Sequence, residues 1–261
     1  METMKTPASL SSAATLAGQA DALEERMMDE LPPVPNTSVL YTSGALDPTG
    51  PAQRPPVQPG QHMLMAADPR LKPLPDKPSL MDFLNLRMRA GGVNHMLQSA
   101  NLALKSGNNE KVVLACLLHD IAVAGFISSD HGYWAAQMIE PYVDAEVAWA
   151  VRAHQALRFF PDEAAGYTYP EMYVRLFGEH YQPEPYLVAE YQRFREHKWY
   201  MTGRLITIND LYAFDPNAVV NLEDFTDIIG RNFRQPEEGL GFDTSPSAHM
   251  WRTMNWPTRY L

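Results

Sequence analysis

The sequence predicts an all-α fold preceded by an irregular, proline-rich arm. Three observations lead to this reading. Thirteen of the 22 prolines lie before residue 80, in stretches such as 31–35 and 48–59 that cannot continue a helix or a central strand. From Ser79 onward apolar residues recur at helical spacing, with capping residues between the runs. No segment alternates polar and apolar residues as a half-buried strand does. The chain therefore divides into an arm or linker (1–78), a helical domain (79–240) and an irregular C-terminal tail (241–261).

Within the arm, the spacing allows a short helix from about Ala13 to Leu31, and the apolar words HMLMA and VLY suggest an arm that wraps the body or joins a homo-oligomer. In the body, Ser79 and Asp82 form a capping arrangement for SLMDFLNLRMRAG, which Gly91 and Gly92 close. VNHMLQSANLALKSG follows and ends at Gly107. NEKVVLACLLHDIA is apolar on every side from Val112 to Leu118, so it is expected to be buried. Asp130 is placed to cap HGYWAAQMIEPY and Asp144 to cap AEVAWAVRAHQALRFF. A loop over 161–186, rich in Gly, Pro and aromatic residues, leads into a long helical pattern from Tyr186 to Phe214, and a last helix spans Leu222 to Phe233.

Composition narrows the function classes. The chain has 261 residues, 45% hydrophobic and 20% charged, with a net charge of -10. That balance fits a globular protein and gives none of the basic footprint that nucleic-acid phosphates require, so no nucleic-acid partner is expected. No apolar run approaches the roughly 20 residues that span a bilayer, and the N-terminus lacks the apolar core of a signal peptide. The expected address is the cytoplasm, with no membrane partner. The single cysteine, Cys116, excludes the thiolate-rich zinc sites, so any metal must be held by His, Asp and Glu.

Polar groups recur where the helical pattern is apolar. His119 and Asp120 are adjacent at the end of the most apolar helix, where consecutive positions about 100° apart can converge on one point. His95 lies on the preceding helix, His131 opens the next, His154 sits on the one after, and Asp210 interrupts LITINDLYAF. Any one of these alone reads as a satisfied core residue. Six N/O groups offered by successive helices build a two-metal site in a helical core. Asp130 and Asp144 read as helix caps, and His62, His180, His197 and His249 as surface or loop residues.

The ordered set His95, His119-Asp120, His131, His154, Asp210 resembles the HD-domain superfamily, helical metalloproteins named for the doublet in LLHDIA. The two extra histidines, with the words HGYWAAQMI and VRAHQALRF, resemble its binuclear subset. In spacing the set is most similar to the HD-domain mixed-valent diiron oxygenases, which include a phosphonate-cleaving enzyme and, more distantly, myo-inositol oxygenase. The resemblance covers roughly residues 80–215. It implies an HD-domain helical bundle in which Asp120 bridges two metal ions and acts catalytically. His95, His119 and Asp210 then complete one site, and His131 and His154 the other. It implies two iron ions as cofactor, although a His/Asp shell also suits manganese or zinc.

Against that family's pattern, Val123 stands where a His or Lys helps position substrate, Asn85 where a tyrosine is expected, and Thr207 where an arginine would sit. Arg158 matches a basic substrate-binding position. One retained cation suits a small substrate with a single carboxylate or similar anion better than a phosphonate dianion. Val123, Ala124, Phe126, Tyr133 and Trp134 give the pocket an apolar, aromatic character, or else pack in the core. The segment from Phe160 to Tyr186 is long enough for a lid or a subunit contact. The expected function is an iron-dependent oxygenase acting with O2 on a small molecule. The alternatives are a metal-dependent phosphohydrolase and a non-catalytic metal-binding protein.

Overall fold

A computed structural model describes residues 72–88, 90–125, 130–211 and 213–255. The helix expected over Ala13–Leu31, the words HMLMA and VLY, the arm-mediated contact between copies and the side chains of Ala124 and Phe126 lie outside the described residues. Ser79 starts α1 (Leu80–Leu86) with a reciprocal capping box. Its side chain accepts from the Asp82 backbone, and the Asp82 carboxylate accepts from the Ser79 backbone N–H at 2.9 Å. The chain leading into it is tied down, because the Pro78 carbonyl accepts from the Leu240 N–H at 2.8 Å.

Next come α2 (Ala90–Lys105) and α3 (Glu110–Leu118), the latter capped by Asn109 and buried from Val112 to Leu118 as its pattern predicts. A short α4 (Ile121–Gly125) is followed by α5 (His131–Ile139) and α6 (Ala145–Leu157), which Asp144 caps through the Glu146 N–H. The remaining helices are α7 (Glu171–Phe177), α8 (Pro185–Arg195), α9 (Tyr200–Leu211), α10 (Thr226–Asn232) and α11 (Ala248–Asn255). Among the described residues there is no strand, only an isolated bridge between Asp162 and Tyr167. The all-α fold class stands.

The core of the bundle is α2, α3, α5, α6 and α9. The most extensive contacts are α9 on α6, α2 on α3 and α5 on α6, and α9 also lies against α2 and α3. Gly203 lets α9 approach α6, since a Cβ there would sit 3.1 Å from the Leu157 Cδ1 and 3.3 Å from the Trp149 ring. These five helices surround one interior point, and each brings polar groups to it.

The structure departs from sequence expectation in five places. Gly91 and Gly92 do not close the first helix; it ends at Leu86, and both glycines lie in the first turn of α2. Glycine's entropic cost is felt mainly in the middle of a helix, so two glycines are tolerated in a first turn. The 161–186 loop contains α7 and a 3-10 turn at Glu163–Ala165. The long pattern from Tyr186 to Phe214 is broken at 196–199, where the His197 ring stacks on Trp149 at 4.1 Å and its Nδ1 accepts from the Trp199 N–H. Asp130 occupies the N-cap position of α5 but makes no side-chain cap, its backbone being left-handed at φ 50°.

The tail expected to be irregular carries α11, whose Trp251 is fully buried. The Trp251 indole N–H donates to the Met138 carbonyl at 3.0 Å, and its ring meets Phe83 edge-on at 5.1 Å. Large-to-small changes at such a position lose transfer energy and leave a cavity. Trp251→Ala is expected to cost about 3–5 kcal/mol in denaturant unfolding; a loss below about 1 kcal/mol would show that the tail is not part of the core.

Candidate metal centre

Each polar group reaches the interior by a different local route. His95 projects from the middle of α2, and its ring stacks on Phe214 at 4.3 Å. His119 is the C-cap of α3, and Asp120 follows it in the junction before α4. His131 is the first residue of α5, His154 lies in the last turn of α6, and Asp210 is near the end of α9. His119 and His154 are fully buried, and Asp210 is 5% exposed.

The structure brings all six predicted residues together, in two triplets: His95, His119 and Asp210, and Asp120, His131 and His154. In the first, the Nε2 atoms of His95 and His119 are 3.2 Å apart, and the Asp210 Oδ1 is 2.9 Å from His95 and 3.5 Å from His119. In the second, the Nε2 atoms of His131 and His154 are also 3.2 Å apart. Asp120 faces both groups. Its Oδ2 lies 3.6 Å from His95 and 3.6 Å from His119, while its Oδ1 lies 3.3 Å from His131 and 3.8 Å from His154.

The outward ring nitrogens explain why the inward ones are free to ligate. The Nδ1 of His95 meets the Ala213 carbonyl at 3.0 Å, that of His119 meets the Cys116 carbonyl at 2.7 Å, and that of His154 meets the Val151 carbonyl. A carbonyl only accepts, so each Nδ1 carries a hydrogen, and in the neutral ring Nε2 then presents a lone pair to the centre. Two lone pairs facing each other at 3.2 Å repel unless a cation lies between them. Metal–nitrogen bonds of about 2.1 Å place adjacent donors roughly 3.0–3.4 Å apart in octahedral or tetrahedral geometry, which these pairs match.

Charge supports the same fit. The Asp120 Oδ1 is buried and has no hydrogen-bond partner, a costly state for a carboxylate unless a cation compensates it. Burial opposes ionisation of Asp120 and Asp210, yet both are held well below the ordinary carboxylate range: Asp120 by the surrounding imidazoles, Asp210 first by the Arg158 charge and then by the adjacent His119 and His95 rings. For His119, burial pulls the pKa down, but the Asp120 charge and the Asp210 hydrogen bond outweigh it and push it up to about 9. His154 moves down, through burial first and then the His119 charge, despite the Asp120 carboxylate nearby. The centre is thus built to hold positive charge against two anions, and two divalent cations suit it.

Arg158, at the C-cap of α6, places a guanidinium nitrogen 3.6 Å from the Asp210 Oδ2 and lies 5.0 Å over the Tyr173 ring. Its Nε is buried without a hydrogen-bond partner. Val123 is half-buried on α4. Of the two aromatic residues weighed between pocket and core, one follows the core reading and the other follows neither. Tyr133 is at the surface, its ring under the Arg152 guanidinium, and Trp134 packs against the core. Thr207 is buried and its hydroxyl bonds back to the Arg204 carbonyl, so it offers nothing to the centre.

Sequence reasoning missed the framework behind Arg158. Arg204 is fully buried on α9 and donates to the Leu157 carbonyl at 2.9 Å and to the Tyr200 hydroxyl at 3.0 Å, while Tyr200 donates to Asp162 at 2.5 Å. Tyr167, from the same turn as Asp162, donates to the Arg158 carbonyl at 2.8 Å. This network fixes the end of α6 from behind. The only signal in the sequence was an arginine inside an apolar helix pattern. Tyr173, on α7, is also nearly buried, and its ring reaches Arg158 from the segment expected to be a loop.

Residues 92–173 match the family model for the HD domain. The matched stretch carries five of the six clustered residues, all but Asp210. No curated protein matches the chain.

Two outcomes test this geometry. His119→Ala and Asp210→Ala should each lower metal content by about half, Asp120→Ala should lower it further, and His180→Ala should leave it unchanged by elemental analysis; a large loss in His180→Ala would show the ligand assignment to be wrong. Cys116 is fully buried beside this cluster, and burial pushes its thiol up to about 12. At pH 8 it therefore stays protonated, and a thiol reagent should modify it only after denaturant is added; rapid reaction with the folded protein would contradict its placement.

Proposed function

We propose that this chain is an HD-domain oxygenase that holds two iron ions and uses O2 to oxidise or cleave a C–C or C–heteroatom bond of a small anionic or hydroxylated substrate. The observation that carries this reading is one carboxylate, Asp120, facing two imidazole pairs, with a single cation, Arg158, set against the acidic residues of the cluster among the described residues. Phosphate oxygens call for several donors. Here the one guanidinium already leans on Asp210, and Val123 stands near the doublet in place of a basic side chain. His and Asp donors accommodate iron, manganese and zinc alike, and the choice of iron rests on the resemblance in ligand order and spacing.

His95, His119 and Asp210 would hold one ion, His131 and His154 the other, and Asp120 both. When bound, the pair of irons supplies the redox chemistry with O2 that side chains cannot. The chain supplies placement. Arg158 offers its unpartnered Nε–H to an anionic group of the substrate, while its contact with Asp210 sets that group beside the cluster. Tyr173, whose pKa burial pushes upward, remains a protonated hydroxyl next to Arg158. His95, His119 and His154 keep their protons on Nδ1, bound to main-chain carbonyls, so protons are held away from the reacting side. Full burial of His119 and His154 closes their side of the centre to bulk water, while the partial exposure of Asp120 and His95 leaves an opening on the other.

A second reading, a metal-dependent phosphohydrolase, is favoured by the family match, which points to metal-dependent hydrolases as a class. The same six residues would hold its ions. Aerobic and anaerobic purification, metal quantification and EPR after partial reduction separate the two. The oxygenase should show a coupled mixed-valent diiron signal that candidate carboxylate or hydroxylated substrates perturb. Two zinc or manganese ions with phosphatase activity would overturn it.

A further inference from the structure

Helix α5 presents His131 at its first position, yet it lacks a cap of its own. Asp130 is left-handed at φ 50° and ψ 33°, and its carboxylate makes no bond to the helix. A non-glycine residue in this region carries a strain cost, so something must hold the chain there. The holder is Gln155, on α6 and adjacent to His154. Its Oε1 accepts from the Gly132 N–H at 2.9 Å, satisfying a first-turn donor that Asp130 leaves open, and its Nε2 donates to the Asp130 Oδ1 at 3.3 Å. The Tyr186 hydroxyl donates to the same Asp130 oxygen.

The backbone geometry enforces the same junction. A Cβ at Gly132 would lie 3.0 Å from the Val151 carbonyl oxygen and 3.1 Å from the Gln155 Cβ. The Val151 carbonyl is also the partner of the His154 Nδ1. One small patch of α6, residues 151–155, therefore fixes the ring of His154 and the start of the helix that carries His131. Among the described residues the side-chain hydrogen bonds of Gln155 go to Asp130 and Gly132, and none reaches the elements that carry His95, His119 or Asp210.

We infer that Gln155 is a positioning residue for one of the two ion positions, the one framed by Asp120, His131 and His154, and that it leaves the other position untouched. The inference rests on the two-ion reading of the cluster. Residues that orient ligands from behind typically alter metal affinity 10–100-fold when replaced. Gln155→Leu keeps the volume and removes both hydrogen bonds. Gln155→Glu keeps the acceptor for Gly132 and sets a carboxylate against Asp130.

The test is equilibrium titration of the full metal-free chain with Co(II) under anaerobic conditions, read by chelator competition and by the d–d absorption of the bound cobalt. Wild type should bind two ions per chain. Gln155→Leu should bind the first with wild-type affinity and the second at least about 10-fold more weakly, and Gln155→Glu should bind the second within a few-fold of wild type. Equal two-ion binding by wild type and Gln155→Leu, or equal weakening of both ions, overturns the inference while leaving the two-ion reading intact. Fewer than two ions in wild type overturns both. If Gln155→Leu does not fold, Gln155→Asn, too short to reach Gly132, takes its place, and wild-type binding of the second ion by that variant refutes the inference.

Discussion

A single half-buried carboxylate facing four imidazoles, with one of its oxygens closed off from solvent, is the constraint to which the rest of the interior answers. Asp120 has one oxygen toward His95 and His119 and the other toward His131 and His154. Such a group is stable out of water only when positive charge surrounds it on both sides. The bundle meets that need by converging five helices and by turning each imidazole so that an Nε2 lone pair faces inward, where a cation can be held. Main-chain carbonyls of Ala213, Cys116 and Val151 make that orientation the favoured one for three of the rings.

Packing sets the precision of the centre. Helix α3 can be apolar on every side because α2, α6, α9 and α10 cover it, and His119 at its end is then fully enclosed. Close approaches at Gly203 and Gly132 bring α9 and α5 onto α6, so the ligand-bearing positions on these helices are separated by backbone distances rather than by adjustable side chains. The buried Arg204, with Tyr200, Asp162 and Tyr167, braces the end of α6 and with it Arg158. These contacts carry no chemistry of their own, and they hold the groups that do.

Much of this was readable from the chain. An imidazole or carboxylate inside an apolar helical pattern needs a partner, and six of them spread over successive helices had one economical explanation, which the geometry of the cluster matches. The capping box at Ser79 and the buried run from Val112 to Leu118 were equally legible, because both depend on local spacing alone. What stayed hidden depends on partners far along the chain. Helix α11 is buried by Phe83 and Met138, more than 100 residues away, and nothing in the proline-rich tail announces it. The break between α8 and α9 comes from His197 stacking on Trp149 of α6. Asp130 has the composition of a cap, but its carboxylate is claimed by Gln155 and Tyr186, and Tyr133 faces Arg152 rather than a pocket because of where α5 lands on α6.

Sharing of Asp120 by two metal ions is tested by anomalous diffraction at the metal edge from crystals of the metal-loaded chain. Two peaks are expected about 3.5–4 Å apart, one beside His95, His119 and Asp210, the other beside His131 and His154, with the Asp120 carboxylate between them. A single peak, or peaks away from Asp120, would contradict it.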